Sequence, residues 1–209
     1  MTNKVPLWTI QTAHVYSQLL RDGFIVGPTK YDYEHDPYFV SDKASALFIK
    51  PYMWLSEYMV RNIGLPPNYD PKNTQFPLWA WFQYEDHKHK KPDLRSRAHL
   101  PKGTDGVRIK FLADPSTVLL SDFDNWHYVL SNWYLGQNKK QDDDFDRRFS
   151  KATQKGDQTE IKACNEIIRE SWSRIFIKDT TKKLKAHIQA TFWKIEWGQV
   201  VQVTKFTAR

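Results

Sequence analysis

VLLSDFDNWHYVLSN, residues 118–132, changes the period of its apolar residues midway. Val118, Leu119 and Leu120 continue from Thr117 as a short buried strand. Phe123, Trp126, Leu130 and Trp133 then recur every three or four residues, the spacing of one helix face. A side-chain oxygen at Ser121 or Asp122 would accept a bond from a free N–H of the first turn, and a carboxylate suits that positive helix end. Two other readings compete. Asp122, Asp124 and His127 form a string that could hold a divalent metal, with His127 three residues after Asp124 on one helix side. Chelation needs convergent oxygens, however, and the two aspartates leave a first turn in different directions. Asp124 and His127 could instead form a polar wall of a site. Capping is the reading that explains the period, so the stretch is expected to be a strand-to-helix corner. Its tryptophans are then core and no metal is expected.

On either side of this corner the chain alternates strands and helices. VPLWTIQ (Val5–Gln11) reads as a short strand with Pro at its edge. TAHVYSQLLRDG then carries Tyr16, Leu19 and Leu20 at helical spacing, with Thr12 as N-cap and Gly23 as the stop. PTKYDYEHDPYFVSDK (Pro28–Lys43) is irregular and is expected to be a surface loop. In KPYMWLSEYMVRNIG, Pro51 suits a first helical turn, with Trp54, Leu55, Tyr58 and Met59 on one face and Gly64 at the end. FPLWAWFQY (Phe76–Tyr84) reads as an aromatic strand, and GVRIKFLA (Gly106–Ala113) as a strand with Val107, Ile109 and Phe111 on one face. Residues 136–157 are almost wholly polar and are expected to form a mobile excursion. A helix follows with Ile161, Cys164, Ile168 and Trp172 inward, and HIQATFWKIEWGQVVQVTKF closes the chain as two strands separated near Trp197–Gly198. The order implies a single α+β domain over residues 1–209. Its sheet is expected to be split or curved and mostly antiparallel, with flanking helices.

The 209 residues suffice for a buried core without disulfide or metal staples. One cysteine, Cys164, allows no internal disulfide and fits a reducing, cytoplasmic setting, where it is a small core residue. The first residues lack an apolar leader and no stretch approaches ~18 apolar residues, so neither export nor a membrane partner is expected. The net charge is +7, and aromatics make up 15% of the chain with 9 Trp, a composition common among nucleotide and nucleic-acid binders. The charge is concentrated. HKHKKPDLRSRAHLPK (His87–Lys102) holds six Lys/Arg against one acid.

That segment lies in a long basic loop, residues 85–105, joining two strands, a length that often marks function. Lys88, Lys90, Lys91, Arg97 and Lys102 are candidate contacts to nucleic acid or to an acidic protein partner. Arg95 is a candidate phosphate holder with Asp93 orienting its guanidinium. A solvated charged loop is the competing reading. His87, His89 and His99 include an H-x-H pair, a weak metal signal. No G-x-S-x-G, P-loop, G-x-G-x-x-G, HExxH or paired CxxC motif is present. Gln11 and Gln189 are polar residues on apolar strands, facing either water or a cleft where their amides bond a ligand.

LWTIQ, PYMWLSEYM, FPLWAW, KPDLR, VLLSDFDNWHYVLSNWYL and IQATFWKI resemble a bacterial and phage family designated domain of unknown function 3841. At a second level the element order is similar to the ADP-ribosyltransferase fold, in particular to DNA-targeting ADP-ribosyltransferase toxins. LWTIQTAHVYSQLLRDGFI looks like their opening strand and helix, FPLWAWF like their aromatic strand, and IQATFWKIEWGQVVQV like their closing strands. That resemblance implies a nucleotide or NAD-type ligand, with Thr9 and Gln11 of the opening strand as its contacts; Arg95 and Asp93 of the basic loop are the candidate phosphate contacts and Trp8 a candidate stacking surface. It places Gln189 at the catalytic position for glycosyl transfer, with nucleic acid as an expected substrate, and His127 of the strand-to-helix corner is the other candidate catalytic residue. Gln189 stands where such transferases carry a glutamate, and a neutral amide stabilises an oxocarbenium-like transition state poorly. The resemblance therefore implies a nucleotide-binding cleft more than it implies transfer. The alternative is a non-enzymatic nucleic-acid or protein-binding module using the basic loop over 87–102.

Overall fold

Alternation along β1 (Val5–Thr12) decides how the sheet is assembled: Leu7 and Thr9 are buried on one side, while Trp8 and Ile10 project from the other. The computed structural model describes residues 4–35, 45–179 and 186–209. After β1 come α1 (Ala13–Asp22), β2 (Phe24–Val26), α2 (Lys30–His35), α3 (Ser45–Ile63), β3 (Leu78–Gln83) and β4 (Asp105–Ala113). They are followed by β5 (Leu119–Asp122), α4 (Phe123–Leu130), α5 (Lys139–Lys155), α6 (Gln158–Ser171), β6 (Ile188–Phe192), β7 (Lys194–Glu196) and β8 (Val200–Thr207). Six strands form one open antiparallel sheet in the order β5-β6-β3-β1-β4-β8, and β2 pairs with β7 in a separate ribbon. This is the single α+β domain with flanking helices that the element order implied.

Each face of the sheet carries its own core. On one, Leu7, Ala80, Ile109, Phe111 and Phe192 pack with Leu19 of α1 and with Ile25 and Ile195 of the ribbon. On the other, Trp54, Leu55, Trp126, Phe145, Cys164 and Trp172 gather α3 to α6 against Trp79 and Leu119. The helix ends follow the sequence closely. The Thr12 hydroxyl accepts the Val15 N–H, and Gly23 closes α1 in the left-handed region at φ 78°. Asp122 caps α4, accepting the Asn125 N–H at 2.9 Å. Asp122→Ala should therefore lower stability by about 0.5–2 kcal/mol in thermal unfolding. An unchanged melting temperature would contradict that role.

Several expectations are corrected. Residues 139–155 are helical, not a mobile excursion: Asn138 caps α5, and Phe145 and Ala152 are buried. Few apolar residues suffice there because one narrow stripe contacts the core. Ion pairs Lys139–Asp143 at 2.8 Å and Arg148–Glu160 at 2.5 Å occupy the outer surface. Part of the expected loop at Pro28–Lys43 is α2, and residues 36–43 of that loop lie outside the described residues. Pro51 lies inside α3, which begins at Ser45. The closing segment makes three strands, because β7 leaves the main sheet to pair with β2. α4 ends at Leu130 with Asn132 at φ 55°, so Trp133 falls off the helix face and is 62% exposed, not core. β1 is an interior strand, but its registered pairing with β3 is confined to Trp8↔Trp81, so Pro6 interrupts no ladder on that side. No helix among the described residues is long and apolar enough to cross a membrane.

Candidate functional site

Residues directly opposite in an antiparallel sheet share a face, so the registers assign every strand side chain to a side. Ser121 faces Gln189, Gln189 faces Trp81, and Trp81 faces Trp8. These four form one transverse row on the helix-covered side. Trp8 also faces Lys110. Thr9 and Gln11 stand one residue away on β1 and therefore point through the opposite side. The expected cleft formed by Thr9, Gln11 and Gln189 is thus divided by the sheet itself. Thr9 is structural: its buried hydroxyl donates to the Trp79 carbonyl at 2.8 Å and accepts from Gln11 Nε2 at 2.8 Å. It joins β1 to β3 where their ladder is sparse.

Gln189 does reach a cleft. A cavity of about 440 Å³ opens over it, walled by Trp79, Trp81, Tyr84 and Phe123, with Ile10, Glu85, Ala98, His99 and His187 at its margins. The aromatic walls brace one another. Trp81 meets Tyr84 edge-on at 5.0 Å and Phe123 at 5.1 Å. Beside the amide, the buried Ser121 and Thr191 hydroxyls have no hydrogen-bond partner among the described residues. No side-chain bond to Gln189 is present among the described residues either, so its carbonyl and amino groups are free for a ligand edge.

The basic loop supplies the second half of the site. It folds back over the sheet, held by Arg108, whose guanidinium donates to the Pro92 carbonyl at 2.7 Å. Burial pulls the Arg108 pKa down, partly offset by Asp93. Leu100 sits over Gly106, where an added Cβ would come within 2.5 Å of Leu100 Cδ1. Next to the aromatic cleft this fold-back leaves a hollow of about 460 Å³, lined by Arg97, Leu100, Pro101, Lys102 and Arg209 together with Ala98 and His99. Ala98 and His99 border both cavities. The His99 ring is set by a 2.9 Å contact from Nε2 to the Asp93 carbonyl.

Arg95 and Asp93 do pair, through contacts of 2.6 to 3.1 Å. The Arg95 guanidinium, and then its backbone N–H, hold the Asp93 carboxyl down at about 2. A carboxyl depressed in this way contributes stability above its ordinary value of 3.8 and loses it as pH falls through about 2. At neutral pH the charged Asp93 carboxylate offsets the Arg95 charge. Arg95 lines neither cavity, whereas Arg97 lines the cationic one. Lys90 lies over the Phe82 ring at 4.9 Å, and Lys88 and Lys91 are exposed outside both cavities.

The family model for domain of unknown function 3841 matches residues 6–201. The chain belongs to that family. No curated protein and no solved structure matches it. The family stretch around Asp122 is the strand-to-helix corner that its period implied. Asp122 is the α4 cap, Asp124 Oδ2 lies 3.2 Å from His187 Nδ1, and His127 turns back to the Phe123 carbonyl at 3.0 Å. Asp122, Asp124 and His127 therefore do not converge on a metal, and no cluster of three potential ligands occurs among the described residues. His127 does not line the cleft, but His187 does. With Nδ1 held by the Asp124 carboxylate, its Nε2 is left to hydrogen-bond a ligand at the rim. His187, Trp81, Phe123 and Arg209 line the two cavities and were not singled out as candidates from the sequence. The available signal was FPLWAWF, apolar on both strand faces, which implies a cover on each side.

Proposed function

We propose that this domain binds a nucleotide-type ligand. The base lies between the aromatic walls of the cleft with its edge on the Gln189 amide, and its phosphates lie in the hollow of Arg97, Lys102 and Arg209. One observation carries the reading: an aromatic cavity with an unpaired amide adjoins a cavity bounded by three cations and no Asp or Glu, with Ala98 and His99 shared between them. A planar heterocycle suits the first, since aromatic stacking is indifferent to which base is present and an amide reads its edge. An anion suits the second. NAD-type ligands satisfy both requirements, as do simple nucleotides. The proposal does not extend to glycosyl transfer at a nicotinamide ribose, because the amide at 189 carries no charge to set against a cationic transition state.

Calorimetric titration with AMP, ATP, NAD, adenosine and inorganic phosphate tests this. Nucleotides should bind more tightly than adenosine or phosphate alone. Gln189→Ala should weaken AMP about fivefold, from roughly 1 kcal/mol of hydrogen bonding. Absence of binding by every nucleotide at millimolar concentration, or wild-type affinity in Gln189→Ala, would refute the assignment.

A further inference from the structure

The row that contains Gln189 does not stop at the cleft. It continues from Trp81 to Trp8 on β1, Lys110 on β4 and Gln202 on β8. Lys110 Nζ lies 5.6 Å from the Trp8 ring centroid. Trp8, Ile10, Trp81, Tyr84 and Phe123 belong to neither core cluster and are half-buried. The helix cluster contains no residue of β1, β4 or β8; on that half of the face the basic loop packs through Arg108 and Leu100, while Trp8 and Lys110 are half-buried and Gln202 is exposed. The positions of β1, β4 and β8 that share this face include Arg108 and Lys110 and no Asp or Glu.

We infer that the natural ligand is a single-stranded nucleic acid, with one base in the Gln189 cleft, the next stacked on Trp8, and its backbone along Lys110. This rests on the nucleotide reading of the cleft and names the class of molecule that fills it. Adjacent strands are roughly 4.8 Å apart, so Trp81 and Trp8 present two aromatic surfaces in sequence across the sheet. Unpaired bases stack on such a platform, whereas bases in a duplex keep their faces against each other. A lysine over the outer ring both orients it and meets a phosphate. An acidic protein would use the lysine but leave the aromatic row unexplained.

Fluorescence anisotropy separates the two levels of the proposal. Deoxyadenosine monophosphate, a dA4 oligonucleotide, the matching dA4·dT4-containing hairpin duplex and a polyglutamate peptide are competed against labelled dA4. The tetranucleotide should bind at least tenfold more tightly than the mononucleotide. Trp8, expected from the sequence to contact the nucleotide, lines neither cavity, so Trp8→Ala should remove that gain of about tenfold while leaving mononucleotide affinity unchanged. Trp8→Phe should restore most of it, and Lys110→Glu should lower only the tetranucleotide. Equal affinity for monomer and tetramer, or a gain that survives Trp8→Ala, overturns the single-strand inference and leaves nucleotide binding standing. Duplex or polyglutamate displacing dA4 as well as free dA4 does overturns it too. If neither mononucleotide nor oligonucleotide binds, both readings fall.

Discussion

Trp126→Ala is expected to destabilise the protein by about 3–5 kcal/mol, the cost of deleting a large buried aromatic that cannot be refilled. Trp126 is 4% exposed and lies where α4 meets the sheet. Its ring is 5.2 Å from Trp79 and meets Tyr52 edge-on at 5.8 Å. Removing it opens a void between two helices and a strand, and neither the sheet nor the capped helix can close it without losing hydrogen bonds. Trp79 also lines the ligand cleft, so nucleotide affinity should fall with stability. Trp133→Ala is the matched control. That side chain is 62% exposed, and its carbonyl, which accepts from Trp172 Nε1 at 2.9 Å, survives the substitution. Its effect should stay within about 0.5 kcal/mol. Urea unfolding of the two variants decides the matter, and a Trp126→Ala loss below about 1 kcal/mol would contradict the packing described.

The double substitution Arg97→Glu with Lys102→Glu should reduce AMP and ATP affinity by at least 100-fold. Charged hydrogen bonds contribute about 1.5–3 kcal/mol each, and two of them are replaced by repulsion. Both residues line the cationic hollow and neither has an ion-pair partner among the described residues. Lys88→Ala with Lys91→Ala should change mononucleotide affinity less than twofold, because those lysines lie outside both cavities. A purely electrostatic docking loop predicts the opposite pattern, with every cation in the segment contributing alike and affinity tracking the total charge. Titration of both double variants at two salt concentrations separates these cases.

Much of the architecture was readable before any coordinates. Thr12, Gly23 and Asp122 perform the terminating roles that their side chains and backbone freedom dictate. Val107, Ile109 and Phe111 share a buried face because strand side chains alternate. The helix at Lys139–Lys155 was obscured because its composition is solvated and its few inward residues become informative only beside α6. Trp133 misled for the converse reason: periodicity continues past the point where Asn132 turns the backbone. At the site, Gln189 and the basic loop were visible as unusual residues. The pairing of Gln189 with Trp81, and the replacement of Arg95 by Arg97 as the residue facing a cavity, were not.

Local chemistry determined the elements of this protein, their caps and the concentration of charge, since each depends on residues near in sequence. Register decided the rest. A shift of one residue moves a strand side chain to the opposite face, and that parity is set by pairing partners as distant as Trp8 and Trp81 or Trp81 and Gln189. It put Thr9 and Gln11 on the side away from the cleft and aligned Gln189, Trp81 and Trp8 in one row on the other.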